Sequence, residues 1–442
     1  MDLLIQGGTV LTMNPKREIF DNGFLVIHNG RIAEVGRGTI PPDPNREVIH
    51  AEDQIILPGW INGHNHLIQA LYRGLGDTLP LPMWIGKIFD ALASLTREKA
   101  YVGASLALIE LIHSGVTTTA DSHFSHVYKD SIEGVLEAIQ SIGIRGVIAR
   151  GSMDRSVPEI YQEKSEESLK ELVALSQKWN SERIRMSPEA LGVLRCSEKM
   201  IKELSSFSRE MKTPFFMHIA SSKAEAETIQ QRKGCGVFEY LDRLGVLNER
   251  CVAAHCIWLA PKEPALLKDK GVKVVYNPVS NMFLGSGVAP IPILVKEGVR
   301  VALGLDGAAS NNSQNFFETM KFASLLQRIT HLDTSVLPPE EILEMATIRG
   351  AEVLGIGKEA GSLEKGKWAD LIFLDSKSPR LNPKKKIVSN IVYSACPSDI
   401  TKVMVGGRVI YDGKSIVTVD ETEIIERVNF LENETNKILG GF

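Results

Sequence analysis

The feature that most constrains the fold is an alternation of short apolar runs with helical periods through the middle of the chain. Runs such as GVIARG, PFFMHIA and VRVALGLDG are separated by stretches such as EKMIKELSSFSREM. Strand–helix repetition over roughly 300 residues implies parallel strands, and enough of them close into a (β/α)8 barrel. The alternative is an open doubly wound sheet, which is disfavoured because no GxGxxG follows a first strand.

The two ends of the chain resemble each other more than they resemble the middle. Both are rich in short strands punctuated by Gly, Asn and Pro, as in GFLVIHNGRIAEVG near the start and ITKVMVGGRVIYDG near the end. This texture is typical of hairpins. We therefore predict an α/β protein in which a TIM-like (β/α)8 barrel (residues 58–357) carries a small β-sandwich built from both chain ends (residues 1–57 and 358–442).

Composition indicates an ordinary globular protein and excludes some partners. The 442 residues are 43% hydrophobic and 24% charged, with a formal net charge of −4. No basic surplus favours nucleic acid or an anionic membrane, and no apolar run approaches the roughly 20 residues of a membrane-spanning helix. The start, MDLLIQGG, lacks a basic segment followed by an apolar one, so we expect a cytoplasmic location.

The cysteines are odd in number and scattered, without CxxC spacing. This pattern favours reduced thiols in the core over a disulfide framework or a cysteine zinc site. The five residues are Cys196, Cys235, Cys251, Cys256 and Cys396.

Polar residues that could bind a metal stand where apolar runs end. The run QIILPGWI is followed by NGHNH, in which His64 and His66 are separated by one residue. On a strand, such positions point to the same side. His218, His255 and Asp306 end later apolar runs in the same way. Because reactive residues of a barrel lie at the carboxyl ends of its strands, all five are expected at one mouth.

Four imidazoles and one carboxylate suit Zn²⁺ or Fe²⁺. An ion with an open coordination position lowers the pKa of bound water to roughly 7. An aspartate can then take the proton, and a spare histidine can orient the water or stabilise a developing oxyanion. The alternative for each residue is structural: a hydrogen-bonded core histidine, or an aspartate in a turn.

Longer motifs around these residues resemble the amidohydrolase superfamily. They are LPGWINGHNH, SGVTTTAD, NPVSNMFLGSGVAP, LGLDGAASNN and GSLEKGKWADLIFLD, and they run from the first strands to the last. The order HxH, His, His, Asp is similar to that of the mononuclear-metal aminohydrolases. Within this group the chain resembles s-triazine hydrolases of the atrazine chlorohydrolase type, and the methylthioadenosine/S-adenosylhomocysteine and guanine deaminases.

The resemblance implies roles for individual residues. His64, His66, His218 and Asp306 match the ligands of one divalent ion, and His255 matches the histidine that holds the hydrolytic water. Further positions are expected near the substrate, although ordinary packing or an ion pair is the alternative for Trp84 and Arg150. The positions expected to bind substrate are Gln69, Trp84, Arg150, Ser221 and Asn281.

The sequence departs from the deaminase pattern at two places. These enzymes usually carry a glutamate three residues after the histidine of strand five, where this chain has Ser221 in HIASSKAE. Where the group often has SPHAP, this chain has SPEAL, which places Glu189 at the end of a strand. We interpret Glu189 as a replacement for the missing proton carrier. The alternative is that Glu189 forms a salt bridge in a loop.

The function predicted from these residues is hydrolytic release of ammonia or an amine from a purine, pterin, pyrimidine or s-triazine by metal-activated water. His255, Asp306 and Glu189 are the predicted catalytic residues. One alternative is hydrolysis of an amide, urea or carbon–halogen bond, which Ser221 favours. A more distant alternative is a non-catalytic barrel that binds a small ligand. We also expect a homo-oligomer, a dimer or tetramer, since the apolar segment LPLPMWIGKIF could cover either a site or an interface.

Overall fold

The computed structural model describes residues 2–41 and 43–439, so residues 1, 42 and 440–442 of the predicted sandwich lie outside it. The described chain contains two eight-stranded sheets. One sheet is built from both chain ends. Its strands are β1 (Asp2–Leu11), β2 (Ile19–His28), β3 (Arg31–Arg37), β4 (Glu47–His50) and β5 (Gln54–Pro58) before the barrel, and β14 (Leu371–Asp375), β15 (Ile400–Val405) and β16 (Arg408–Tyr411) after it.

The second sheet is the predicted parallel barrel, in which the strands lie in chain order. Gly63 N donates to Leu303 O at 2.8 Å, which joins the end of the first strand to the last. The confirmed (β/α)8 architecture places all strand ends of one polarity at one mouth. Its strands are β6 (Trp60–Asn62), β7 (Val116–His123), β8 (Arg145–Ser152), β9 (Ile184–Ala190), β10 (Phe215–Ile219), β11 (Cys251–His255), β12 (Lys273–Tyr276) and β13 (Val301–Leu303).

Helices surround the barrel and complete the chain. Several begin at a residue whose side chain accepts a backbone N–H, as Thr96, Ser197 and Asn315 do, which satisfies a donor that the helix leaves free. The helices are α1 (Leu81–Leu92), α2 (Arg97–His113), α3 (Ser131–Ile142), α4 (Ser165–Trp179), α5 (Glu198–Met211), α6 (Lys223–Lys233), α7 (Val237–Arg243), α8 (Glu263–Lys270), α9 (Pro278–Phe283), α10 (Ile291–Lys296), α11 (Phe316–His331), α12 (Pro339–Met345), α13 (Ile348–Val353), α14 (Ile387–Tyr393) and α15 (Glu421–Leu439).

The interior of the barrel is a packed core of alternating strand residues. On β8, Val147 and Ala149 belong to the inner cluster, whereas Ile148 packs outward against the helices. Phe216 on β10 is also an inner residue. This period of two decides which polar residues can reach the mouth from inside.

The smaller sheet encloses a core of its own. Strand β1 pairs with β4 through residues 3–6 and with β5 through residues 9–10, so the sheet divides along this strand. Leu3, Ile27 and Phe373 lie in the buried cluster that results. The barrel and this sheet meet at a buried ion pair, in which Arg145 Nε donates to Asp370 Oδ2 at 2.6 Å. The domain limits at residues 57 and 357 stay predictions.

Within the described residues, no helix combines the length and the apolar character needed to cross a membrane. All five cysteines are free thiols, and four of them are buried, as the sequence predicted.

Candidate active site

His64 and His66 lie just beyond β6, not on it, because that strand ends at Asn62. The backbone is held to the end of the barrel, where Asp306 N donates to His64 O at 3.0 Å. His66 Nδ1 lies 2.7 Å from the carbonyl oxygen of Ser122. The proton of this imidazole is therefore on Nδ1, which leaves the lone pair of Nε2 free for a metal.

His218 lies on the inner face of β10, two residues after Phe216. Its Nε2 is 3.3 Å from Nε2 of His66, and the two rings are stacked with an interplanar angle of 3°. On the other side of the ring, Nδ1 lies 3.2 Å from Glu189 Oε1. Nε2 is therefore the nitrogen that faces the other histidines.

His255 reaches the same point by a different route. It pairs in register with Ile219, an outward residue of the neighbouring strand, and strict alternation would turn it outward too. Its φ of 76° lies in the left-handed region, which is uncommon for a residue with a side chain and is found at functional sites. His255 Nδ1 is 3.1 Å from Asn281 Oδ1, and this contact helps to fix the ring.

Asp306 follows β13 and also has a left-handed backbone, with φ 67°. Its Oδ1 lies 3.6 Å from His64 Nε2 and 3.4 Å from His66 Nε2, and its Oδ2 lies 4.0 Å from His255 Nε2. Ser280 Oγ donates to Oδ2 at 2.6 Å. The carboxylate is thus held in one orientation between the imidazoles.

Burial and mutual repulsion set the protonation of these groups. Burial, reinforced by His64, lowers the pKa of His66 to about 4. Burial also lowers the pKa of His218 and of His255. For Asp306, burial acts to raise the pKa, but the imidazoles packed around its carboxylate hold it well below its ordinary value. Neutral imidazoles and an ionised carboxylate are the forms that bind a metal.

The geometry fits one divalent metal ion. His64, His66 and His218 offer ring nitrogens that lie within 4.8 Å of one another, and so do the ligand atoms of His64, His255 and Asp306. Nε2 of His64 is buried and has no hydrogen-bond partner among the described residues. A buried polar atom without a partner is costly, and a metal ion would supply the partner.

These groups open into a cavity of about 310 Å³, a size that suits a small molecule. Helix α1 contributes an apolar wall that includes Leu81, Ile85 and Ile88. The segment LPLPMWIGKIF, for which the sequence left two interpretations, therefore covers the site.

Four of the residues predicted to bind substrate line this cavity. Trp84 Nε1 donates to Ala309 O at 3.2 Å, so its ring is fixed. Gln69 Oε1 and Asn281 Nδ2 are buried and have no hydrogen-bond partner among the described residues. The four lining residues are Gln69, Trp84, Ser221 and Asn281.

Arg150 is placed elsewhere, and its position does not support the predicted contact with substrate. It follows Ala149, an inner residue of β8, and so points out of the barrel toward α4. Its guanidinium donates to Glu163 Oε1 and Glu171 Oε2, both at 2.6 Å. These contacts are those of a buried structural ion-pair cluster, and Arg150 is not among the residues that line the cavity.

Glu189 also lies behind the cavity wall. It is buried and contacts the Nδ1 side of His218, away from the cavity. Burial raises the pKa of Glu189 to about 8. This position suits a residue that orients a metal ligand, and it does not suit the predicted direct proton transfer to substrate.

Two charged residues of the cavity wall were not predicted from the sequence. Glu225, in the first turn of α6, accepts hydrogen bonds from Ser221 Oγ at 3.0 Å and Ser221 N at 2.9 Å. The signal for it was the pattern Ser222-x-x-Glu225, which is typical of a helix start. Arg195 lies in the loop after β9. No periodic signal marked it.

The chain is similar to known proteins along most of its length. Residues 55–410 match the model of the "Amidohydrolase family". A 5'-deoxyadenosine deaminase of Methanopyrus kandleri is 38% identical, covering 96% of this chain and 97% of the relative. A 5-methylthioadenosine/S-adenosylhomocysteine deaminase of Syntrophobacter fumaroxidans is 36% identical, covering 97% of each.

A solved structure shares the whole architecture. The crystal structure of an adenosine deaminase from Xanthomonas campestris with bound zinc superimposes with a TM-score of 0.92 at 25% identity, covering 99% of both chains. The agreement extends over barrel and small sheet alike.

Proposed function

The chain belongs to the amidohydrolase family, and we propose that it removes the amino group from an aminopurine nucleoside that is modified at its 5′ position. It is a metal-dependent hydrolase that acts on carbon–nitrogen bonds other than peptide bonds. The observation that carries the proposal is the convergence of four imidazoles and one carboxylate at the base of a cavity. The choice of a purine nucleoside rests on the deaminases at 36–38% identity.

We propose that His64, His66, His218 and Asp306 hold one divalent ion. Bound there, it would acidify a coordinated water and polarise the bond under attack. The order and spacing of the ligands suit zinc and iron alike. The zinc in the Xanthomonas campestris deaminase supports zinc. Reconstituting metal-free protein with each ion, followed by an activity measurement, decides between them.

Asp306 and His255 are suited to handle the water. Asp306 is ionised and lies in contact with the ligand nitrogens, so it can accept the proton that the water loses. His255 Nε2 lies 4.0 Å from Asp306 Oδ2. It can therefore hold the water and stabilise negative charge as the attacked carbon becomes tetrahedral. The proton on Asp306 then passes to the substrate, and ammonia leaves.

Gln69 and Asn281 are suited to form hydrogen bonds with the heterocycle and so to select it. Each residue lines the cavity, and each has a buried amide atom that has no partner among the described residues. A substrate that pairs with these atoms removes the cost of leaving them unpaired, and one that cannot pair is rejected. Trp84 supplies a fixed apolar surface beside them.

Ser221 and Glu225 together can replace the glutamate that the deaminase pattern places at position 221. Ser221 cannot release a proton at neutral pH, but its hydroxyl donates to Glu225 Oε2 at 3.0 Å, and both residues line the cavity. Burial raises the pKa of Glu225. A proton held by Glu225 can pass through the Ser221 hydroxyl to the leaving amine, with the hydroxyl accepting one proton as it gives up another. The proton on Asp306 then goes to the ring nitrogen, and Glu225 regains a proton from the hydroxyl group of the attacked carbon as the carbonyl forms.

Ser221 also favours a second candidate function. If no proton reaches the leaving group through Ser221, a group that departs more easily than ammonia fits better. Hydrolysis of a carbon–halogen bond meets this condition, because a halide leaves without a proton. Hydrolysis of an amide or urea belongs to the same candidate class, but its leaving amine would still need a proton from another group. The two candidates differ in the product, since only the first releases ammonia from an aminopurine.

The experiment is a product assay on zinc-loaded protein. It compares 5′-deoxyadenosine, methylthioadenosine and adenosine with chloro-, amide- and urea-containing heterocycles. Ammonia together with the inosine-type product supports the proposal. Turnover restricted to the chloro, amide or urea compounds supports the second candidate. A cytoplasmic location and a homo-oligomer stay predictions.

A further inference from the structure

Arg195 is a cation on the cavity wall that lacks a protein partner. Its side chain lines the cavity and is only partly exposed. Among the described residues, its guanidinium has no hydrogen-bond acceptor and no carboxylate within ion-pair distance. Nearby Arg155 differs, because its Nη2 donates to Val193 O at 3.0 Å and it does not line the cavity.

Glu225 is the acidic residue whose interaction with Arg195 could compete with a ligand, yet the two side chains do not form an ion pair. Its oxygens already accept from Ala220 N at 3.2 Å, Ser221 N at 2.9 Å and Ser221 Oγ at 3.0 Å. When Glu225 is ionised, its charge acts on Arg195 only at longer range. All five N–H groups of the guanidinium therefore remain available to a ligand.

The surroundings make an unpaired charge costly. Leu191, Val193 and Leu194 from the same loop line the cavity beside Arg195. Burial lowers the pKa of Arg195, although a guanidinium keeps its charge at neutral pH. A buried charge without a partner is destabilising, so a ligand that supplies an anion here gains the attraction without breaking an existing pair.

Arg195 also lies close to the reacting end of the cavity. A Cβ atom built on Gly192 would be 3.4 Å from the carbonyl oxygen of His218 and 3.9 Å from Nη1 of Arg195. The guanidinium and the backbone of a metal ligand thus flank the same glycine. A substrate whose ring reaches the metal ligands can place a short arm on Arg195.

We propose that Arg195 binds a carboxylate on the arm that extends from the reacting ring, so that the substrate is an anionic nucleoside. The planar guanidinium matches a carboxylate with two parallel N–H···O bonds. This inference rests on the proposed deaminase function and narrows its substrate class.

The test compares three adenosine derivatives that differ only at the 5′ carbon: neutral 5′-deoxyadenosine, adenosine 5′-carboxylic acid and adenosine 5′-monophosphate. Zinc-loaded wild type should deaminate the carboxylate with the highest kcat/KM, mainly through a lower KM. Arg195→Met should lower the ratio of kcat/KM for carboxylate over neutral substrate by about tenfold to one-hundredfold, the range expected for hydrogen bonds to a charged group.

Two further variants distinguish a direct contact with Arg195 from a general effect of positive charge near the cavity. Lys223→Met removes an exposed positive charge next to Ser222 that does not line the cavity, and it should leave the ratio unchanged. Arg195→Lys keeps the charge without the planar fork and should retain part of the preference. Zinc content and Tm of each variant confirm that it is folded.

Several results would overturn the proposal. One is equal kcat/KM for the neutral and carboxylate substrates in wild type, and another is an unchanged ratio in Arg195→Met. A preference for the monophosphate would assign a phosphate instead. If 5′-deoxyadenosine is deaminated without any charge preference, only this inference fails. If none of the three is deaminated, the proposed function fails and the inference falls with it.

Discussion

Glu189 Oε1 lies 3.2 Å from Nδ1 of His218, and Nε2 of the same ring lies 3.3 Å from Nε2 of His66. The Glu189 carboxyl group and the nitrogen that faces the other histidines are therefore on opposite sides of one imidazole. A carboxyl group in this position can fix the tautomer and the direction of a ring that binds a metal. We therefore expect Glu189 to orient His218 and not to contact substrate.

Replacing Glu189 tests this role. Glu189→Gln should weaken zinc binding by about tenfold to one-hundredfold, the usual effect of removing such a partner. Activity should return when zinc is supplied in excess. Zinc affinity is measured by competition with a chelator, and kcat is measured at saturating zinc. Loss of kcat that persists at saturating zinc would instead support direct proton transfer by Glu189.

Glu225→Gln should show the opposite pattern. Glu225 lines the cavity and does not contact the metal ligands, so zinc affinity should be unchanged while kcat falls. Loss of a positioned proton carrier typically costs about 10²–10⁴-fold. Ser221→Ala should also lower kcat, because it removes the hydroxyl through which Glu225 would pass its proton. Wild-type kcat in both variants would remove these residues from the mechanism.

Arg150→Met should lower stability through lost ion pairs, not through lost substrate contacts. Arg150 is fully buried among Glu163, Glu171 and Ser168, and its removal leaves two carboxylates without their partner. Breaking a buried pair costs about 3–5 kcal/mol, to be measured as the free energy of unfolding in urea. At low temperature, where the variant is folded, its KM should equal that of the wild type. A raised KM in the folded variant would indicate that Arg150 contacts substrate.

The barrel, and the convergence of the four histidines and Asp306 at its mouth, could be predicted from the sequence because both follow from simple rules. Apolar strands repeated in parallel must close or stack, and their carboxyl ends must meet. The direction of the His218 side chain could be predicted, because His218 is two residues from the inner residue Phe216 and side chains two residues apart on a strand point the same way. The expectation that His64 and His66 share one strand face was wrong in detail, since β6 ends at Asn62.

Orientation was hardest to predict where both faces of a strand are buried. Strand β8 is buried at every position, so its sequence does not distinguish Arg150, which points outward, from the inner Ala149. His255 reaches the mouth because its backbone adopts a positive φ, and nothing in RCVAAHC signals this. Arg195 lies in a loop whose course is set by packing and not by periodicity.

The most direct test of metal-dependent deamination is a zinc titration of metal-free protein with ammonia release from 5′-deoxyadenosine as the readout, run in parallel on Asp306→Asn. Wild-type activity should rise to a plateau at one zinc ion per chain. The variant should lose activity by orders of magnitude at the same zinc content, because the proton acceptor is gone. Ammonia release that needs no metal, or that survives Asp306→Asn with wild-type kcat, would contradict this mechanism.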